Sequence, residues 1–208
     1  METQKTESLT EEVYRLLLDK LLSSHYVPGH VLDRKKIAEE LHVSMAPVRD
    51  ALIKLDIEGF VDTLPRKGTI VKAVDREDLY GSLILREAIE VQAARMYCGS
   101  SMEQHLSMLL PYARAADDRD TEFVEHWKLD VAFHRELIGL SRCRTLVTEF
   151  NRFMKIATFY HVNRFLTGTD IEERRSHEDL LYELHRATPN DAETLIRDHL
   201  KSGKRTFF

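Results

Sequence analysis

The sequence predicts a mainly α-helical chain in two parts. A winged helix-turn-helix of three helices and a β-hairpin wing is expected over residues 1–74, and an all-α antiparallel helical bundle over residues 75–208. Three observations carry this reading. Residues 8–58 repeat apolar side chains at helical spacing with two short interruptions; residues 60–73 switch to β-like runs around a Pro-Arg-Lys-Gly turn; and from residue 75 the pattern is helical almost without relief.

The first helix is expected from about Ser8 to Ser24. Ser8 with Glu11 three residues on is a capping-box pattern, and Val13, Leu17 and Leu21, with Tyr14 and Leu18 beside them, form an apolar face. Pro28-Gly29 breaks the chain, and Asp33 can cap a short second helix with Ile37, Ala38 and Leu41 inward. The third helix follows the tight join His42-Val43-Ser44. Ser44 is its expected N-cap, Pro47 sits in the first turn where a missing N–H costs nothing, Val48, Ala51, Leu52 and Leu55 face inward, and Gly59 ends it. FVDTL (60–64) and TIVKA (69–73) read as strands joined by Pro65-Arg66-Lys67-Gly68. Six helices are expected beyond: about 75–98, 102–116, 120–140, 143–166, 170–187 and 190–203, separated by plausible turns such as Gly99-Ser100 and Thr188-Pro189-Asn190.

At 208 residues with 43% hydrophobic side chains, the chain can bury one large core or two modest ones. It holds no apolar run of the ~18 residues needed to span a bilayer, and METQKTESLTEE lacks the basic flank and apolar stretch of a signal peptide, so a soluble, cytoplasmic protein without a membrane partner is expected. Cys98 and Cys143 are too few and too isolated for a disulfide framework or a Cys-x-x-Cys knuckle. The net charge is −5, with residues 1–74 at −1 and the rest at −4. Any affinity for nucleic acid must rest on local clusters, Arg34-Lys35-Lys36 and Arg66-Lys67, because it is the local field that phosphates feel.

Two short helices with a tight join, followed by a basic hairpin, form the arrangement in which the second helix enters the major groove and the wing touches backbone or minor groove. Ser44, Met45, Ala46 and Arg49 lie near the N-terminal end of the recognition helix, where side chains meet base edges, and Arg49 is the leading candidate for a contact. The spacing alone fits equally an ordinary three-helix cluster with Arg49 and Lys35 merely solvated.

The ordered landmarks are more specific: Ile37-Ala38, Val43-Ser44, Pro47-Val48-Arg49-Asp50-Ala51-Leu52, Glu58-Gly59 and Pro65-Arg66-Lys67-Gly68. Over about residues 10–73 the chain resembles the winged helix of the GntR family of transcription regulators. The resemblance implies operator DNA as a partner and contacts at Lys35, Arg49, Arg66, Lys67 and Gly68. One departure stands out: the family usually has Arg after the Val-Ser pair, whereas this chain has Met45, which cannot donate hydrogen bonds to guanine.

In the second half, Asp130 and His134 are four apart on an expected helix, so both project from one face and suit chelation of one cation. His177 and His199 fall on later helices that an antiparallel bundle can bring toward the first pair. Three imidazoles and a carboxylate suit a divalent metal, zinc first, with nickel, manganese or iron as alternatives. Each histidine taken singly is more often structural. The helical half also resembles the FCD ligand-binding domain of the family's FadR branch, in an Asp-x-x-x-His, a later His and a final His-Leu. That resemblance implies a metal site at Asp130, His134, His177 and His199, and a small organic acid effector near Arg86 and Glu90. Two departures accompany it: Ser141-Arg142-Cys143-Arg144 stands where Gly-Asn is usual, and Ser176 rather than Glu precedes His177.

The leading expectation is a homodimeric regulator, a repressor by mode, whose operator binding answers to the effector. The alternatives are a regulator for which the ion itself is the signal, and a metal-dependent hydrolase with an accessory DNA-binding domain. The sequence is thin for the last: it has no His-Glu-x-x-His, nucleophile elbow or phosphate loop.

Overall fold

The structure, a computed structural model, describes residues 8–64, 68–74, 76–118, 120–164 and 175–202. These residues form nine α-helices, one 3-10 turn and three strands. The chain divides into two compact units, Met1–Asp75 with Thr158–Leu166, and Arg76–Ala157 with Thr167–Phe208.

In the first unit, α1 (Leu9–Leu22) starts at Ser8, whose hydroxyl accepts from the Glu11 amide, and buries Val13, Tyr14, Leu17, Leu18 and Leu21. A two-residue strand that the sequence pattern did not suggest, β1 (Val31–Leu32), precedes α2 (Arg34–Glu40). Asp33 caps α2 by accepting from the Lys35 and Lys36 amides. The turn into α3 (Met45–Ile57) places His42 in the left-handed region at φ 53°. Ser44 occupies the N-cap position, but its side chain makes no capping hydrogen bond. After Gly59, also left-handed at φ 87°, the wing forms from β2 (Val61–Leu64) and β3 (Gly68–Val71). They pair antiparallel with Thr63 opposite Thr69, and β3 takes the centre of the sheet because β1 pairs on its other edge. The wing tip, with Arg66 and Lys67, lies outside the described residues.

The second unit holds α4 (Arg76–Tyr97), a 3-10 turn (Ser100–His105), α5 (Leu106–Asp117), α6 (Phe123–Gly139), α7 (Arg144–Arg164), α8 (His177–Arg186) and α9 (Pro189–Lys201). The helix expected from residue 102 therefore begins as a 3-10 turn. The one expected from 170 begins at His177, capped by Ser176. The far end of α7, from Thr158, belongs to the first unit, where buried Phe159 meets Phe60 edge-on at 5.6 Å.

Where Gly-Asn is usual, Arg142 adopts a left-handed φ of 54°, a conformation that Gly or Asn reaches with less strain. The Ser141 hydroxyl offsets this by donating to the Ile138 carbonyl and accepting from the Cys143 amide. The core of the unit gathers Phe133, Leu137 and Ile138 of α6, Phe150 and Met154 of α7, Leu180, Leu181 and Leu184 of α8, and Ala192 and Ile196 of α9. α9 opens on a capping box, Thr188 and Asp191 each accepting from the other's amide, with Pro189 at the first position.

Candidate metal centre and DNA-reading surface

Three of the inward faces carry a histidine among their apolar residues. His134 lies beside Phe133 on α6, His177 opens α8 ahead of Leu180 and Leu181, and His199 follows Ile196 by three positions on α9. All three are buried, at 0, 3 and 6% exposure, and one nitrogen of each lies within 4.8 Å of the others. A shared ion ~2.0–2.1 Å from each nitrogen would draw such a group together. Asp130, one turn before His134, sets Oδ1 3.3 Å from His177 Nε2 and 3.9 Å from His134 Nε2.

Asp130, His134 and His177 are each held from behind by a charged neighbour. Arg86 of α4 donates from Nη2 to Asp130 Oδ2 at 2.9 Å and from Nε to Glu90 Oε1 at 2.6 Å, with its guanidinium 5.4 Å from the Trp127 ring. Glu90 Oε2 stands 2.5 Å from His134 Nδ1, an ion-pair distance without hydrogen-bond alignment, and His134 Nε2 is buried with no hydrogen-bond partner among the described residues. Asp117, at the end of α5, accepts from His177 Nδ1 at 2.7 Å. Arg86 and Glu90 are each only 2% exposed. Glu90 thus engages one oxygen with Arg86 and sets the other against His134.

The electrostatics follow from this packing. Burial pushes His134 below its ordinary value, against the pull of Glu90, which favours a neutral imidazole. Burial also opposes charge on His177, but Asp117 and Asp130 outweigh it and lift the ring to about 9. Asp130 is partly buried, which opposes its charge, yet Arg86 and the two histidines hold it well below the usual carboxylate range. Against the cost of partial burial, the bonds from His177, Glu178 and Ser176 bring Asp117 to about 2.

The residues expected to meet DNA are arranged differently. Ser44, Met45, Ala46 and Arg49 are exposed on one side of α3, with Met45 at 47%. Arg49 is paired with its neighbour Asp50 at 3.0 Å. Lys35 is exposed on α2, 3.9 Å from Glu39, and Gly68 begins β3 at φ 92°, a left-handed conformation that suits glycine. Asp117 was missed by sequence reasoning because no spacing ties it to the histidines: its link to His177 spans 60 positions. Ser176, noted only as a departure, is the nearer clue, since its hydroxyl donates to Asp117 at 2.8 Å.

Comparison with known proteins identifies the family. Residues 9–71 match the model for "Bacterial regulatory proteins, gntR family", and residues 82–202 match that for the FCD domain. The Nta operon transcriptional regulator of Aminobacter aminovorans is 30% identical over 77% of this chain and 75% of its own length. The HTH-type transcriptional repressor RspR of Escherichia coli is 28% identical over 69% of this chain and 65% of its own. Among solved structures, a GntR regulator from Rhodococcus sp. RHA1 superposes with a TM-score of 0.72 at 22% identity, covering 94% of this chain and 95% of that one, a likeness of fold. These findings define a DNA-binding transcription regulator, a winged helix joined to a helical second domain, rather than an enzyme. The chain belongs to the gntR family of bacterial regulatory proteins, in the branch that carries an FCD domain. No described helix is long and apolar enough to cross a membrane.

Proposed function

We propose that residues 1–74 grip a pseudo-palindromic operator as part of a homodimer, and that residues 75–208 control this grip through a small organic acid bound beside a divalent ion at Asp130, His134, His177 and His199. The mode is repression, the RspR relative being named a repressor, and a bound ligand relieves it.

The observation that carries the metal is the charge of the buried cluster. Glu90, Asp117 and Asp130 contribute −3 against +1 from Arg86; without metal a protonated His177 offsets part of the remaining −2, and a divalent cation that takes the place of that proton balances it in full. The donor set suits zinc first, with nickel, manganese and iron next. When bound, the ion supplies coordination positions beyond the protein's ligands for oxygen donors such as a carboxylate. Arg86 Nη1, buried without a partner among the described residues, offers a further donor to such a ligand.

The test is metal analysis of purified protein together with operator binding, with and without a panel of carboxylate metabolites. One ion per chain and release by one acid class are expected; metal-free protein that responds normally to an acid would overturn the reading. The closure of the site, with every imidazole buried, favours a second reading in which the ion itself is the signal. Operator binding that follows metal alone would select it.

A further inference from the structure

The grip on His177 comes from a residue that neither the family pattern nor the sequence spacing marks. Asp117 ends α5, and its carboxylate meets the first turn of α8 with both oxygens. Oδ1 accepts from the His177 amide at 2.8 Å and from His177 Nδ1 at 2.7 Å; Oδ2 accepts from the Ser176 hydroxyl at 2.8 Å and the Glu178 amide at 3.1 Å. The helix N-terminus favours the anion through its free N–H groups, and the Asp179 amide is already satisfied by Ser176. One side chain therefore fixes the backbone that carries His177 and the ring itself.

A histidine whose Nδ1–H is held by a carboxylate presents Nε2, and a ligand held this way binds metal more tightly because its tautomer and orientation are set in advance. His177 Nε2 is the nitrogen that faces Asp130 Oδ1, so the held ring points its open nitrogen at the carboxylate of the candidate site. Ser176, standing where the resemblance expects Glu, completes the clasp.

We propose that Asp117 is a positioning residue for the metal site: it selects the Nδ1–H form of His177 and anchors the start of α8 to α5, so that Nε2 is presented to the ion. This rests on the metal reading above. An amide in its place cannot satisfy every partner at once. If its oxygen serves His177, its NH2 group faces the Glu178 N–H; if flipped, it confronts the His177 amide and reverses the tautomer.

The experiment compares full-length wild type, Asp117→Asn and Arg114→Ala by Zn2+ titration against a competing chromophoric chelator, with ring 15N spectra of the zinc-loaded proteins. Arg114 pairs with Glu178 at 3.1 Å and so ties the same two helices without touching the ring. Asp117→Asn should weaken zinc binding about 10–100-fold and change the His177 ring signature from protonated Nδ1 with metal on Nε2. Arg114→Ala should keep wild-type affinity and spectrum. Should Asp117→Asn fail to fold, Asp117→Glu retains an anionic acceptor one methylene displaced, and an intermediate loss with the Nδ1–H signature kept is expected. Wild type that takes up no zinc overturns the metal reading and this inference together. Wild type that binds zinc while Asp117→Asn stays within threefold of it, or while Arg114→Ala weakens equally, overturns the role of Asp117 alone, as does wild-type affinity in Asp117→Glu.

Discussion

Along α3, Met45, Ala46 and Arg49 face solvent, and the nearest charged partner of Arg49 is the adjacent Asp50. Around His134 the charged side chains are linked in series: Arg86 reaches Glu90 and Asp130, Glu90 reaches His134, and Asp130 reaches His177, which Asp117 holds from the other side. The exposed surface can change one residue at a time, because water satisfies whatever a substitution uncovers. In the buried cluster each change leaves a neighbour unpaired in a medium where an unpaired charge is costly. Met45, the clearest departure from the family pattern in the first domain, lies on the surface that tolerates exchange.

The largest effect should come from the buried side. His134→Ala or His177→Ala is expected to take metal content from about one ion per chain to nearly none and to lower the melting temperature, since ligands from three helices lose their cross-link. Full metal in both variants would sink the assignment. On the exposed side, Arg49→Ala should weaken specific operator binding about 10–100-fold, the worth of one good base contact, and leave non-specific affinity nearly intact. Equal loss of both would reduce Arg49 to a phosphate contact.

Met45→Arg sharpens the contrast further. Selection from random DNA should give wild type a half-site with no required guanine opposite residue 45 and give the variant one, a discrimination of roughly 1–3 kcal/mol. Identical half-sites would mean that residue 45 does not face the bases. A smaller effect should appear in metal-free protein as pH rises. His177 is raised from 6.5 to about 9, so its contribution to stability is complete below pH 6.5 and lost as pH climbs toward 9. A fall of a few degrees in melting temperature across that window is expected; a flat profile would show that the ring is not held in its charged form. The smallest effect belongs to Lys67→Ala, expected to weaken binding to all DNA alike and lower the salt slope by about one.

The two regions were also unequally legible. The winged helix could be read almost residue by residue because its signals are local: caps at Ser8 and Asp33, Gly59 after α3, and the basic turn between two β-like runs. β1 escaped notice because two residues carry no period, and pairing with β3, about 40 positions away, is what makes them a strand. In the second domain the Asp130/His134 pair was visible as one helical turn, and His177 and His199 through resemblance. The supporting contacts were not. Sequence cannot show that Arg86 and His134 stand against the two oxygens of Glu90, and Asp117 lies 60 positions from the histidine it holds.

Two helices deliver histidines to the cluster from opposite starting conditions. α9 opens on the Thr188–Asp191 clasp with Pro189 already at a helical φ, so its costly first turn is assembled from neighbours in the chain. The first turn of α8 has a local cap in Ser176, which accepts from the Asp179 amide, but its His177 and Glu178 amides are satisfied only when Asp117 arrives, 60 positions earlier than His177 in sequence. During folding, nucleation of α9 can run ahead of the collapse that joins distant segments, whereas α8 must wait for it. A short peptide covering residues 186–202 should hold measurable helicity, and one covering 174–188 much less. His199 thus rides on a scaffold settled early by local order, and His177 on one whose last tie is a long-range event.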